Sequence, residues 1–329
     1  MSVEERALYD VLKDDLIKLA SRLRLVYTHA LYASSLKPLL RVKQLTLKGV
    51  KINDSFFHEI KPLLTDERIC SLDSSLKLIM DFGSLKIYVI KAALEVFEDN
   101  EIKDTRIVLR LVSAYSKKEA LKEVTRVEYS LAEELIKRYK PRILLLDRSL
   151  TSLKDFRLRL NRLFNSAYEN KCSIVGFSKS SNLMLEDGTP LIGYLVLRGK
   201  LLGLSSWYYH PIFPEDMYRD VLPARVIIAK LSPNEYHAFR TDIYSPWSEV
   251  EHIISKVASL QDPALPGYPY PLIRAHRDSK ISLTECQVVR CLVKELCKAC
   301  YVIPEVVSFR GINLEGRSYN MGRRNIGSI

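Results

Sequence analysis

The chain has 329 residues, 47% of them hydrophobic and 27% charged, which is ordinary for a globular protein with a sizeable core. No stretch approaches the roughly eighteen uninterrupted apolar residues of a membrane span. The charged opening MSVEERALYDVLKDD has no signal-peptide core, so a cytoplasmic protein without a membrane segment is expected. Fifty Lys and Arg against 39 Asp and Glu leave a formal charge of +11, which suits a polyanionic partner as well as a plain solvated surface.

In residues 1–35, Leu8, Val11, Leu12, Leu16, Leu19 and Ala20 recur at helical spacing and predict a helix or a helical pair. Residues 36–75 are mixed, with loop-like punctuation at 51–55 and 72–75. The segment 1–75 therefore reads as an N-terminal helical appendage, used for dimerisation or to frame a groove. LKLIMDF (76–82) predicts a strand, Gly83-Ser84 a turn, and LKIYVIKAALEVF (85–97) a second strand. A third follows at 105–115, and the short connections make the three antiparallel neighbours.

KKEALKEVTRVEYSLAEELIKRY (117–139) is an amphipathic helix. RILLLD (142–147) is an apolar strand, 153–170 a helix and CSIVGFS (172–178) another apolar strand. Continuous apolar runs on either side of a helix predict parallel strands covered on both faces. Three antiparallel strands, then helix, strand, helix, strand, is the order of a ribonuclease H-like α/β fold with a mixed sheet and helices on both faces. Its core is expected over 76–300. Residues 191–200, 224–231 and 235–244 predict further strands, and 247–260 and 282–299 helices. The basic, Gly-rich tail 301–329 is expected to be mobile.

Three acids stand out. Asp147 closes the apolar run Ile143-Leu144-Leu145-Leu146, and Asp81 ends Leu78-Ile79-Met80. On the intervening helix, Leu121, Val124, Val127, Leu131, Ala132 and Leu135 define a buried stripe with Glu128 at its middle. A carboxylate there must be paired, protonated or bound to metal, and an ion pair with Arg106 is the bland solution. Asp81, Glu128 and Asp147 would meet at one sheet edge in this topology. Three carboxylates repel unless cations separate them, and hard divalent ions with oxygen ligands suit such a site. Two such ions can activate water and stabilise the leaving oxygen of a phosphodiester.

Lys179 (GFSKSS) ends the last parallel strand at the same edge, where it could meet a phosphate or remain solvated. GYPYPLIRAHRDSKIS (267–282) sets Tyr268 and His276 on what reads as a Pro-restrained loop; His276 could ligate metal, touch the scissile phosphate or shuttle protons. Arg240 and Asp242 alternate along a strand and read as an ion pair. Cys297-x-x-Cys300 lacks a second matched pair, so Cys286, Cys291, Cys297 and Cys300 read as free cysteines rather than a zinc site. Walker A, dinucleotide-glycine and serine-elbow motifs are absent, which removes ATP hydrolysis, redox and serine hydrolase chemistry.

On MDFGS (80–84), the helix segment around Arg126 and Glu128, LLLDRSL (144–150), GFSKSS (176–181) and GYPYPLIRAHRDSKIS (267–282), the chain resembles the NurA nucleases of archaea. The resemblance covers residues 76–282. It implies Mn²⁺-dependent cleavage of single- and double-stranded DNA, including 5′–3′ degradation, by a homodimer enclosing a DNA channel. It also implies partnership with HerA, a hexameric translocase, in end resection and repair. Carried onto this chain, the acidic ligands would be Asp81, Glu128 and Asp147. Tyr268 and His276 match the family's late aromatic and histidine-or-acid positions, and Lys179 its basic position after the last strand. The chain departs from the family twice: Phe82 interrupts the usual D-G-S at the first acid, and Arg148 stands where glycine follows the later Asp.

The sequence thus points to a DNA nuclease with two Mn²⁺ or Mg²⁺ ions held by Asp81, Glu128 and Asp147, with His276 completing the site. Its rival is a catalytically weak DNA-binding or scaffolding subunit of the same fold; a third reading is an RNA-directed ribonuclease H relative.

Overall fold

In the computed structural model the chain divides into two units. One comprises Met1–Thr65, Asp147–Asp155 and Ser173–Tyr270, and the other Asp66–Leu146, Phe156–Cys172 and Pro271–Ile329. The structure describes residues 3–32, 36–42, 45–99, 101–150, 157–179, 181–220, 222–262 and 265–299, with the short pair 311–312 and 318–319. Most of the tail expected to be mobile lies outside the described residues.

In chain order the elements begin with α1 (Val3–Tyr32), β1 (Pro38–Val42), β2 (Leu45–Lys48) and β3 (Phe57–Glu59). Then come β4 (Ile69–Asp81), β5 (Lys86–Glu98), β6 (Glu101–Ala114), α2 (Lys117–Tyr139), β7 (Ile143–Leu146) and α3 (Arg157–Glu169). β8 (Ser173–Ser178), β9 (Leu183–Leu185), α4 (Leu191–Leu201), β10 (Trp207–Tyr209), α5 (Glu215–Asp220), β11 (Arg225–Lys230) and β12 (Phe239–Tyr244) follow. The last are α6 (Val250–Ser259), β13 (Gln261–Asp262), β14 (Leu265–Pro269), α7 (Tyr270–Ser279) and α8 (Leu283–Ala299).

The second unit carries the strands in the order β7-β4-β5-β6. β4, β5 and β6 are the expected antiparallel trio, and β7 lies parallel to β4. β4 begins at Ile69 rather than at residue 76, so the stretch 72–75, read from sequence as a loop, is strand. The polar triplet Asp73-Ser74-Ser75 misled because Asp and Ser are turn formers. Here their backbone pairs with Ala93, Ala92 and Lys91 of β5. The hairpin after β4 turns at Gly83, whose φ of 87° a side chain would resist. α2 opens on a capping box: Ser116 Oγ accepts from Glu119 N at 3.2 Å, and Glu119 Oε2 accepts from Tyr115 N at 2.9 Å. α8 packs on β4, where Cys286 and Val293 join Ile79, Met80 and Val89, with Phe82 and Val289 against them. Phe82, one of the two departures, is therefore a packing residue.

The first unit carries an antiparallel run β3-β10-β11-β12-β8 and a separate sheet β2-β1-β9. Its core gathers Leu40, Tyr194, Trp207, Tyr209, Phe213 and Ile228. Residues 191–200, expected as a strand, form α4. A short apolar run does not distinguish the two, and Pro190 at the helix N-cap was the available cue. Gly199 of α4 is obligatory, since a Cβ would lie 2.7 Å from the Trp207 indole nitrogen. The 267–282 stretch is not a loop either: after β14 it becomes α7, with Pro271 in the first turn, where a missing N–H costs nothing. No helix among the described residues is long and apolar enough to cross a membrane.

Candidate functional site

In the second unit, alternation along β4 sends Ser71, Asp73 and Ser75 to one face and Ser74 to the other. α7 covers the first face. Its His276 Nδ1 lies 2.8 Å from Asp73 Oδ2, and Ser279 Oγ reaches the same oxygen at 3.3 Å. Asp73 Oδ1 accepts the Ser74 backbone N–H at 2.7 Å. Asp73 is buried while nearly half of the His276 side chain is exposed. In the tautomer with its proton on Nδ1, Nε2 carries the lone pair that a ligand or proton acceptor needs. α2 covers the opposite face, and there Glu128 Oε1 accepts Ser74 Oγ at 2.5 Å. Glu128 is buried as its place in the helical stripe requires. Its partner is Ser74 and not Arg106, which pairs with Glu134.

Asp81, expected as the first ligand, sits at the far end of β4. Its Oδ2 pairs with Lys86 Nζ at 2.5 Å and its Oδ1 accepts from Gly83 N at 2.9 Å. Eight strand residues separate it from Asp73, roughly 26 Å, so it belongs to the hairpin. Asp73, which carries the imidazole contact, does not stand out in the sequence, because Asp73-Ser74-Ser75 reads there as a turn.

In the first unit Asp147 is partly buried and both its oxygens are engaged. Lys179 Nζ lies 2.6 Å from Oδ2, and Tyr268 OH donates to Oδ1 at 2.9 Å. Lys179 also stands over the Tyr268 ring, 5.0 Å from its centre. That ring packs edge-on against Phe177 and Phe239, at 5.6 and 5.1 Å between centres. The turn before it is fixed by Gly267 at φ 91°, whose N–H donates to Gln261 Oε1 at 2.7 Å. The backbone beyond Asp147 is held from β12. Asp242 Oδ2 accepts Leu150 N at 2.8 Å, while Arg240 pairs with Asp242 through two bonds of 2.8 and 3.0 Å, both residues buried. The ion pair, expected across strands, forms within β12 and anchors the strand-end loop. Arg148 does not adopt the left-handed backbone that favours glycine, so the second departure is accommodated.

In the hydrogen-bonded β4–β7 ladder Leu72 pairs with Leu146, the last residue of β7; the chain continues from Leu72 into Asp73 and from Leu146 into Asp147. Among the cysteines with described side chains, Cys70, Cys172, Cys286 and Cys291 are free thiols. Burial pushes the Cys70 thiol up to about 12, so it is inert. Cys300 and the Cys297 side chain lie outside the described residues.

A mixed sheet in this order, three antiparallel strands followed by helix-linked strands, defines a ribonuclease H-like fold. More particularly, the chain has the fold of the NurA nuclease from Sulfolobus solfataricus. The two share 15% identity at a TM-score of 0.56 over 88% of this chain and 97% of the other. Human endonuclease V matches at a TM-score of 0.39 with 16% identity, over 71% of this chain and 86% of its own. An endonuclease V from Ciona intestinalis, solved with inosine-containing DNA, matches at 0.43 with 12% identity, over 69% and 92%. No family model matches the sequence, and no curated protein does.

Proposed function

We propose that this protein is a divalent-metal-dependent deoxyribonuclease whose cation is held by Asp73 and His276, with Glu128 bonded to the neighbouring strand residue Ser74 from the opposite face, and that Asp147 is the further acid the NurA resemblance implies. The observation that carries the reading is the buried Asp73 carboxylate paired with the His276 imidazole. Two acids and a histidine suit Mn²⁺ or Mg²⁺. A bound cation would supply Lewis acidity and an activated water. His276 would accept or deliver a proton at Nε2, and Asp73 would orient its ring. Lys179 would meet a phosphate oxygen, and Tyr268 would hold Asp147 by its hydroxyl. The positive charge of +11 suits the DNA backbone.

The finer reading follows the NurA resemblance: two ions, 5′–3′ exonuclease and single-strand endonuclease action in DNA end repair, a HerA-type hexameric partner, a homodimer and a cytoplasmic setting. The test is cleavage of labelled single- and double-stranded DNA with Mn²⁺. Degradation that EDTA abolishes and that Asp73→Asn lowers by about two to three orders of magnitude is expected; cleavage undiminished in Asp73→Asn, or none by the wild type, overturns the reading.

One observation favours the rival, a DNA-binding or scaffolding subunit. Lys179 already neutralises Asp147, so a dication must displace an ammonium to reach Oδ2. On that reading the wild type binds DNA with undiminished affinity in EDTA and never cleaves it.

A further inference from the structure

We propose that Ser71 and Ser75 are positioning residues: a pair of hydroxyls on β4 that grips both ends of α7 and thereby sets His276 against Asp73. Ser71 Oγ donates to the Pro271 carbonyl at 2.8 Å, in the first turn of α7. Ser75 Oγ donates to the Ser279 carbonyl at the helix's last residue. That carbonyl has no partner within the helix, so the serine supplies one. Ser279 returns the contact through its own hydroxyl, which bonds His276 O at 3.0 Å and Asp73 Oδ2 at 3.3 Å.

The spacing of the grip follows from the two periodicities. Four strand residues from Ser71 to Ser75 span roughly 13 Å. Eight helical residues from Pro271 to Ser279 span roughly 12 Å. The two donors therefore match the two acceptors end for end, and Asp73, midway between the serines, meets the side chain that α7 presents between its gripped ends. Ser71 is fully buried, so its hydroxyl has no water to fall back on, and losing its acceptor would strand it.

The proposal rests on the metal reading for what His276 does, but not for how it is held, and the experiment separates the two. Ser71→Ala, Ser75→Ala and the double variant are compared in the full chain with Ser75→Thr, which keeps the hydroxyl. Ring nitrogens of His276 are read by long-range ¹H–¹⁵N NMR at fixed pH, with His276→Asn to assign the signal, and Mn²⁺ affinity by calorimetry. A single Nδ1–H tautomer is expected in the wild type and in Ser75→Thr. A mixture of tautomers, with Mn²⁺ binding about 10-fold weaker, is expected in the alanine variants. An unchanged tautomer in the double variant, at an unchanged melting midpoint, overturns the grip. If the double variant does not fold, half-buried Ser75→Ala decides alone by the same signal. If the wild type binds no Mn²⁺, the metal reading fails while the tautomer still decides this one.

Discussion

Asp73 and Asp81 differ by eight residues and by what surrounds them. Asp73 is buried beside an imidazole, whereas Asp81 is a hairpin acid with a lysine partner. Losing a metal-binding carboxylate removes several kcal/mol of transition-state stabilisation, so Asp73→Asn should lower nuclease activity by about two to three orders of magnitude. Asp81→Asn should stay within about threefold of wild type, because a surface ion pair is worth little. Parallel losses in both variants would return Asp81 to the site. The burial of Glu128 was legible in sequence, since a carboxylate centred on a helical stripe is visible in periodicity. Asp73 was not singled out, since Asp73-Ser74-Ser75 shows its strand character only through pairing with β5.

Glu95 gives a second residue-scale prediction. It is buried on β5, and burial, opposed by the Thr105 hydrogen bond and reinforced by the Asp278 carboxylate, holds its carboxyl above the ordinary range. An acid raised in the folded state binds its proton more tightly there than in the unfolded chain. Its contribution is therefore present below the unfolded value of 4.5 and is lost as pH rises through the raised folded value. Glu95→Gln should flatten the fall in stability with rising pH above 4.5, read as melting midpoint against pH. An identical slope in the variant would show that other groups govern it.

At the scale of elements, the segment after β7 is confined by β8. A Cβ on Gly176 would lie 2.4 Å from the Arg148 carbonyl, a backbone atom that cannot swing aside. Gly176→Ala should therefore destabilise by about 1–3 kcal/mol, measured by urea unfolding, and should weaken Mn²⁺ binding by moving the loop that begins at Asp147. Full stability in the variant would mean that the loop yields freely. The elements legible in sequence were those with long or pure patterns: α2 with its capping box, the apolar β7 and β8, and the β5–β6 pair. α4 and α7 were not legible. A run of ten apolar-rich residues fits either periodicity, and paired prolines in 269–271 read as a loop until the second falls in a first helical turn.

At the scale of the whole molecule, α1 poses a question of partners. Thirty residues make a helix about 45 Å long. Leu8, Leu12, Leu16 and Leu19 recur along it at helical spacing, and all are exposed. Such a stripe, about 17 Å from Leu8 to Leu19, is costly in water, and a second copy of the chain would cover it symmetrically, as the homodimer reading requires. Two leucines changed in each protomer alter four in a symmetric interface. At roughly 1.5 kcal/mol or more apiece, Leu12→Asp with Leu16→Asp should weaken association at least a thousandfold. Sedimentation at micromolar concentration should then find a dimer for the wild type and a monomer of unchanged helix content for the variant. A monomeric wild type would remove the homodimer, and a variant that remains dimeric would move its interface elsewhere. Single-site cleavage measured on both species would then separate the two roles of the chain, because Asp73, Ser74 and His276 lie within one protomer and need no second copy to meet.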